Sequence, residues 1–144
     1  MTPHLPRYGR YAKPVRVRVM FSHWSSTKPF VVTAMRALAK GMAACEGNRY
    51  APCAGSLEVR QYEVPGWRNT TYKSEKAAWP AFTRVNHAKY IVSDARLNVG
   101  TSNWAWDYFA QTSGASWNTN ETGLVAAAQA VFDADWSSGY ATPV

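Results

Sequence analysis

The sequence is short of cysteine, histidine and acidic residues, and these shortages exclude several kinds of site. Its 144 residues include 2 Cys and 3 His. Two cysteines alone cannot supply the four ligands of a structural zinc site. No H-x-x-x-H pair, cysteine cluster or acidic triad is present. We therefore expect metal-independent chemistry without a cofactor.

Long apolar runs are also missing. No run is long enough to cross a bilayer, and the first 14 residues are polar and basic, without the apolar centre of a signal peptide. The hydrophobic fraction of 47% is sufficient for one domain with a core. We predict a basic tail over 1–14, one folded domain over 15–140 and a short tail over 141–144.

Acidic residues are outnumbered, with 9 Asp+Glu against 16 Lys+Arg and a formal net charge of +7. This balance favours anionic partners such as nucleic acid, phospholipid head groups or acidic glycans. Charge alone supports equally a basic protein that has no such partner. The 7 Trp suit packing in a core, and some of them suit stacking on the bases of a single strand.

The two cysteines, Cys45 and Cys53, flank a loop that contains Gly, Asn and Pro. In an oxidising compartment they can form a local disulfide, and two free thiols are an equally good interpretation. Asn69 and Asn120 each begin an N-x-[ST] triplet, so both are candidate N-glycosylation sites. Together these features favour a lumenal or extracellular setting.

Periodicity predicts a mixed α/β chain without internal repeats. Alternating apolar residues indicate strands and a 3.6-residue spacing indicates helices. The order β-α-β-β-β-α-β-α predicts a mixed sheet flanked by helices, an αβα sandwich. The predicted strands cover 15–21, 57–64, 83–92, 96–101 and 116–120, and the predicted helices cover 30–44, 104–111 and 121–136.

The pattern with the most chemical content is H-x-K-x4-D, at His87, Lys89 and Asp94, followed by G-T-x-N ending at Asn103. On a regular strand His87 and Lys89 share one face, and Thr101 and Asn103 arrive on the returning strand. Four donors without a carboxylate favour a phosphate pocket. Asp94, at an odd separation from His87, is expected on the other face or in the turn as a structural partner.

This pattern resembles the signature of the phospholipase D superfamily. The segment 85–114 is most similar to the C-terminal half of the phospholipase D3/D4 group, through N-H-x-K-Y, G-T-S-N-W and Y-F-x-x-T-x-G. Residues 15–24 resemble the strand and turn that open that half, and 132–136 with Tyr140 resemble its closing helix. The resemblance covers most of the chain and implies one lobe of a phospholipase D-like fold.

The resemblance also implies a mechanism and a setting. Such enzymes carry two copies of the motif, and one histidine attacks phosphorus while the other protonates the leaving oxygen. His87 would be nucleophile or general acid, Lys89 and Asn103 would bind phosphate, Thr101 would support them, and Asp94 would be structural. The D3/D4 group resembles lumenal, endolysosomal 5′ exonucleases of single-stranded DNA and RNA, and phospholipid chemistry is also known in it.

Two departures from the family pattern leave alternatives open. Gln111 occupies a place where members often have a Glu, and an amide can orient an imidazole but cannot stabilise imidazolium by charge. The motif occurs once, since neither His4 nor His23 is followed by K-x4-D. The second motif would come from a missing N-terminal half or from a second subunit. The alternatives are a phospholipid hydrolase or transphosphatidylase, and a non-catalytic anion-binding lobe left by truncation.

Overall fold

The computed structural model describes residues 15–46, 55–69, 79–80 and 83–144. The predicted tail over 1–14 lies outside this part of the chain, as do Cys53 and the side chains of Cys45 and Asn69. The predicted disulfide and the first glycosylation site therefore remain predictions. The chain divides into two compact units. One contains Asn86–Tyr140 and the other contains Met1–Val85 with Ala141–Val144.

Six strands and three helices form the described part of the chain, together with one 3₁₀ turn. In chain order they are β1 (Arg16–Ser22), α1 (Pro29–Glu46), β2 (Ser56–Tyr62), the 3₁₀ turn (Trp67–Asn69), β3 (Tyr90–Val92), β4 (Leu97–Gly100), α2 (Trp106–Ala110), β5 (Ser116–Thr119), α3 (Thr122–Ser137) and β6 (Ala141–Pro143).

The first unit is built on a three-stranded sheet in the order β1-β2-β6. β1 and β2 run parallel, with Val19 opposite Val59, and β6 pairs antiparallel with the end of β2. The parallel pair needs a crossover, and α1 supplies it and packs on β2. Val59 at the centre of β2 is buried. The hydroxyl of Thr27 donates to the carbonyl of Ser22 over 2.9 Å and so closes the turn between β1 and α1.

The second unit contains an antiparallel meander, β3-β4-β5, with α3 packed on β3 and β4. Leu97, Val125 and Trp136 are its buried apolar residues. α3 begins at a capping carboxylate, because the Glu121 side chain accepts from the backbone nitrogen of Gly123 at 2.9 Å and from that of Leu124 at 2.6 Å. These bonds lower the pKa of Glu121.

The predicted mixed α/β class is confirmed, and the eight predicted elements occur in the predicted order. Their strands form two three-stranded sheets with helices beside them. The predicted motif strand over 83–92 was too long, because only Tyr90–Val92 is a strand. Residues 141–143, treated as a tail in the sequence analysis, form β6.

The described residues contain no helix that is both long and apolar enough to cross a membrane. Within the same ranges, no three His, Cys, Asp or Glu side chains gather where they could hold a metal ion.

Candidate functional site

The motif residues flank the β3–β4 hairpin. His87 and Lys89 come directly before β3, and Thr101 and Asn103 come directly after β4. Tyr90 pairs with Val99 in an antiparallel register, so both segments emerge at the same end of the hairpin. The backbone nitrogen of Gly100 also donates to the carbonyl of Lys89 over 2.9 Å. The structure thus brings the Lys89 backbone beside the start of the G-T-x-N segment.

Side chains form hydrogen bonds with the backbone groups around His87, which explains why β3 begins only at Tyr90. The Asn86 side-chain oxygen accepts from the Ala88 nitrogen at 3.2 Å, and the Lys89 ammonium donates to the His87 carbonyl at 2.8 Å. Such local bonds compete with a sheet ladder. His87 and Lys89 precede β3, so strand alternation does not apply to them and cannot place the two side chains on one face.

His87 and Lys89 differ in exposure. The His87 side chain is exposed, whereas Lys89 is half-buried. Burial lowers the pKa of the Lys89 ammonium, because the charged form loses hydration there. A half-buried cation that bonds a backbone carbonyl is well placed to exchange that neutral acceptor for an anionic one.

Thr101 is held by the strand that follows. Its backbone nitrogen donates to the Ala115 carbonyl at 3.0 Å, and its hydroxyl accepts from the Ala115 nitrogen at 3.0 Å. A Cβ on Gly114 would collide with Ser102 Oγ and would meet Thr101 Oγ1 at 2.9 Å, so a larger residue there would force these hydroxyls to shift. The hydroxyl of Thr101 is engaged by the backbone, which suits a supporting role beside the half-buried Asn103.

Asp94 and Gln111 were predicted as supporting residues. Asp94 lies in the exposed turn between β3 and β4, at the end of the hairpin away from His87. Ser93 closes this turn, since its nitrogen donates to the Arg96 carbonyl at 2.8 Å. Gln111 follows the last residue of α2 and has an exposed side chain. The structural role of Asp94 and the orienting role of Gln111 both remain predictions.

An exposed aromatic segment follows the motif. Trp104, Trp106 and Phe109 are 76%, 80% and 70% exposed. Single exposed apolar residues are ordinary, and three large aromatic residues within six positions make this segment a candidate contact surface. Asn120, the second candidate glycosylation site, is also exposed, directly before the Glu121 cap.

The sequence analysis missed a bond that joins the motif to the closing helix. The Asn86 amide nitrogen donates to Asp135 on α3 over 3.1 Å, across 49 residues. The only signal in the sequence was a polar residue directly before the histidine, and a long-range partner cannot be inferred from one sequence.

A second group missed by the sequence analysis lies in the other unit, after the parallel strands. His23 Nδ1 lies 2.5 Å from Glu63 Oε1, and the Trp67 indole nitrogen donates to Glu63 Oε2 over 3.2 Å. The His23 and Trp67 rings are 5.3 Å apart. The hydrogen bond from His23, followed by that from Trp67 and the charges of His23 and Arg68, outweighs burial and lowers the pKa of Glu63.

Comparisons of the sequence with known proteins identify the family of the chain. No protein-family model matches the chain. Individual curated proteins do: phospholipase D Z of Dictyostelium discoideum is 34% identical over 138 residues, or 96% of this chain and 28% of that protein. The 5′-3′ exonuclease PLD3 of Xenopus tropicalis is 34% identical over 141 residues, and that of Homo sapiens is 32% identical over 137 residues. Both alignments cover 93% of this chain. They cover 26% of the Xenopus tropicalis protein and 25% of the Homo sapiens protein.

The chain is a member of the phospholipase D superfamily. The predicted resemblance, including the similarity to PLD3, is thereby confirmed. The chain spans only about a quarter of the length of these curated relatives. It therefore aligns with one part of such a protein.

Proposed function

We propose that this chain supplies one half of a metal-independent phosphodiesterase site. The main support is the convergence of His87 and Lys89 with Thr101 and Asn103 at one end of the β3–β4 hairpin. Family membership supports hydrolysis of a phosphoric diester as the reaction class. An imidazole beside a cation and an amide is suited to a phosphoryl group whose charge lies on its non-bridging oxygens.

The proposed reaction has two steps. A neutral imidazole nitrogen attacks phosphorus, the phosphorus–oxygen bond to the leaving group breaks, and a second imidazolium donates a proton to the departing oxygen. Water then attacks the phosphohistidine and transfers a proton to the second imidazole, which frees the first. His87 is one of these two groups, and Lys89 and Asn103 hold the phosphate oxygens.

The second histidine comes from another H-x-K-x4-D motif. The sequence has one copy of the motif, and its relatives are about four times as long as the matched region. The partner motif is supplied either by a further lobe of a longer protein or by a second copy of this chain. On this account a lone monomer is inactive.

The proposed substrate is single-stranded nucleic acid, cleaved from its 5′ end. The support is the name of the PLD3 relatives, the net charge of +7 and the exposed aromatic segment after Asn103. Phospholipid is the second candidate, because the Dictyostelium discoideum relatives are named phospholipase D. The PLD3 resemblance also supports a lumenal, endolysosomal or ER setting with glycosylation at Asn69 and Asn120.

Turnover tests the proposal against the non-catalytic alternative. The chain would be assayed alone and together with a second motif lobe, on bis-p-nitrophenyl phosphate, a 5′-hydroxyl oligonucleotide and phospholipid vesicles. We expect no turnover by the monomer, turnover by the completed site, and loss of turnover in His87→Ala. Equal turnover by His87→Ala would favour a non-catalytic lobe, and faster turnover of vesicles than of oligonucleotide would favour the phospholipid assignment. Mass spectrometry of quenched reactions would identify which histidine carries the phosphoryl group.

A further inference from the structure

Two contacts with α3 bracket the motif. On the side before His87, the Asn86 amide donates to Asp135 Oδ2 at 3.1 Å. On the side after Lys89, the Tyr90 ring meets the Phe132 ring edge-on, with centroids 6.4 Å apart. Both partners on α3 lie in its C-terminal half, within four residues of each other. His87 and Lys89 therefore lie between one polar and one apolar point of attachment to the same helix.

The apolar attachment is packed against the core of the unit. Phe132 stacks on Trp136 with centroids 5.6 Å apart, and Trp136 is 6% exposed. The Tyr90 hydroxyl is buried and makes no hydrogen bond within the described part of the chain. Burial, together with the charges of Asp135 and Asp133, raises the pKa of Tyr90. The C-terminal half of α3 is thus anchored in the core of this unit through Trp136.

The polar attachment acts on the backbone that carries His87. The Asn86 side chain uses both ends of its amide, since the nitrogen donates to Asp135 and the oxygen accepts from the Ala88 nitrogen at 3.2 Å. The second bond spans His87. Asn86 cannot turn its amide without losing both bonds, so the carboxylate on α3 fixes the side chain that holds the His87 segment.

We infer that Asp135 is a positioning residue for His87 and acts through Asn86. The inference builds on the proposed function of His87 and extends it to a residue 48 positions along the chain. The orientation of a catalytic imidazole matters, since a misplacement of about 1 Å can cost about 100-fold in rate. The carboxylate need not touch substrate in order to exert this effect.

A swap of the two side chains tests the inference. Asp135→Ala removes the acceptor of the Asn86 amide, and Asn86→Asp places two carboxylates against each other. The double variant Asn86→Asp with Asp135→Asn reverses the bond: the amide at 135 can donate to the carboxylate at 86, whose other oxygen can accept from the Ala88 nitrogen. We expect hydrogen-exchange protection of the Ala88 amide to fall about tenfold in each single variant and to return in the double variant. In the completed two-motif protein, kcat should likewise fall in each single variant and return in the double variant, while KM changes little.

Asp133→Ala is the matched control. Asp133 is an acidic residue on the same helix, two positions away, and it accepts from Gln129 at 3.1 Å. It should leave the Ala88 amide protected. The inference is overturned if Asp133→Ala and Asp135→Ala have equal effects, or if the double variant is no better than the single variants. The exchange measurement needs no turnover, so failure of the proposed function would appear separately, as an inactive wild-type protein.

Discussion

Lys89 is a half-buried cation within the motif. Its ammonium is half-buried and donates to the carbonyl of His87, a neutral acceptor of the chain itself. An incoming phosphate oxygen would be a stronger partner for the same proton donors. A lysine placed in this way gains more from an anion than a fully hydrated lysine does.

The lowered pKa of Lys89 predicts how phosphate binding depends on pH. The charged form is lost at a lower pH than the ordinary lysine value of 10.5. Affinity for inorganic phosphate should therefore begin to fall at a pH below that value, whereas Lys89→Arg, whose cation persists, should keep its affinity over the same range. Calorimetric titration between about pH 7 and 10 measures this difference. Identical pH profiles for the two proteins would contradict the account.

Gly114 predicts a stability effect of a single methyl group. Gly114→Ala puts a Cβ against the Ser102 and Thr101 hydroxyls, so the Ser102 side chain must rotate and the Thr101 hydroxyl, which bonds the Ala115 backbone, must shift. We expect the free energy of unfolding to fall by about 1–3 kcal/mol in chemical denaturation. Gly139→Ala is the control, because a methyl group added there would meet no atom within 4 Å, and it should change the free energy by less than about 0.5 kcal/mol. Equal effects of the two variants would argue against the close approach.

At the scale of elements, the site depends on pairing more than on local pattern. The G-T-x-N segment and the hairpin were predictable, because β4 and its turn have clear local signals. The length of the strand at the motif was overestimated. The Asn86 and Lys89 side chains bond backbone groups that would pair with a neighbouring strand if the alternating pattern alone decided the structure. β6 was missed because a three-residue strand is specified by its partner β2 rather than by its own sequence.

The end of the parallel pair β1–β2 carries the next prediction. His23 follows β1 and Glu63 follows β2, and their bond fastens the two strand ends together. The folded state lowers the pKa of Glu63, so the stabilisation is present above the ordinary glutamate range near 4.5 and is lost as pH falls through the lowered value. Glu63→Gln should cost roughly 1 kcal/mol at neutral pH and progressively less in acid.

Denaturation curves between about pH 2 and 7 check this prediction. Glu58→Gln is the control, because Glu58 pairs with the exposed Arg16 at 3.5 Å on the surface and exposed pairs contribute little. A difference between wild type and Glu63→Gln that stays constant down to the lowest pH would contradict the assignment.

At the scale of the whole molecule, charge is divided unevenly between the two units. The unit that contains the motif has 2 of the 16 Lys+Arg and 5 of the 9 Asp+Glu, so it is net acidic. The unit with β1, α1 and β2 holds the other 14 cations and 4 acidic residues. The excess positive charge that favours a polyanion therefore lies in the unit with β1, α1 and β2.

This division predicts where the salt dependence of nucleic-acid binding arises. Arg36 and Lys40 are exposed on α1, one helical turn apart. Replacing both with Ala should weaken binding of a single-stranded oligonucleotide and reduce the slope of log K against log salt by up to about 1.4. Arg96→Ala, in the acidic unit, should change the slope less. Fluorescence anisotropy at several salt concentrations measures the slopes, and a larger effect of Arg96→Ala would reverse the assignment.

The central claim is that His87 is one of two histidines that together cleave a phosphodiester. The most direct measurement is single-turnover cleavage of a 5′-hydroxyl oligonucleotide by the chain completed with a second motif, in wild type, His87→Ala and His23→Ala. The account predicts that His87→Ala loses at least about 1,000-fold in rate, while His23→Ala, in the other unit, stays within a few-fold at a temperature where all three proteins are folded. A rate for His87→Ala within a few-fold of wild type would contradict it.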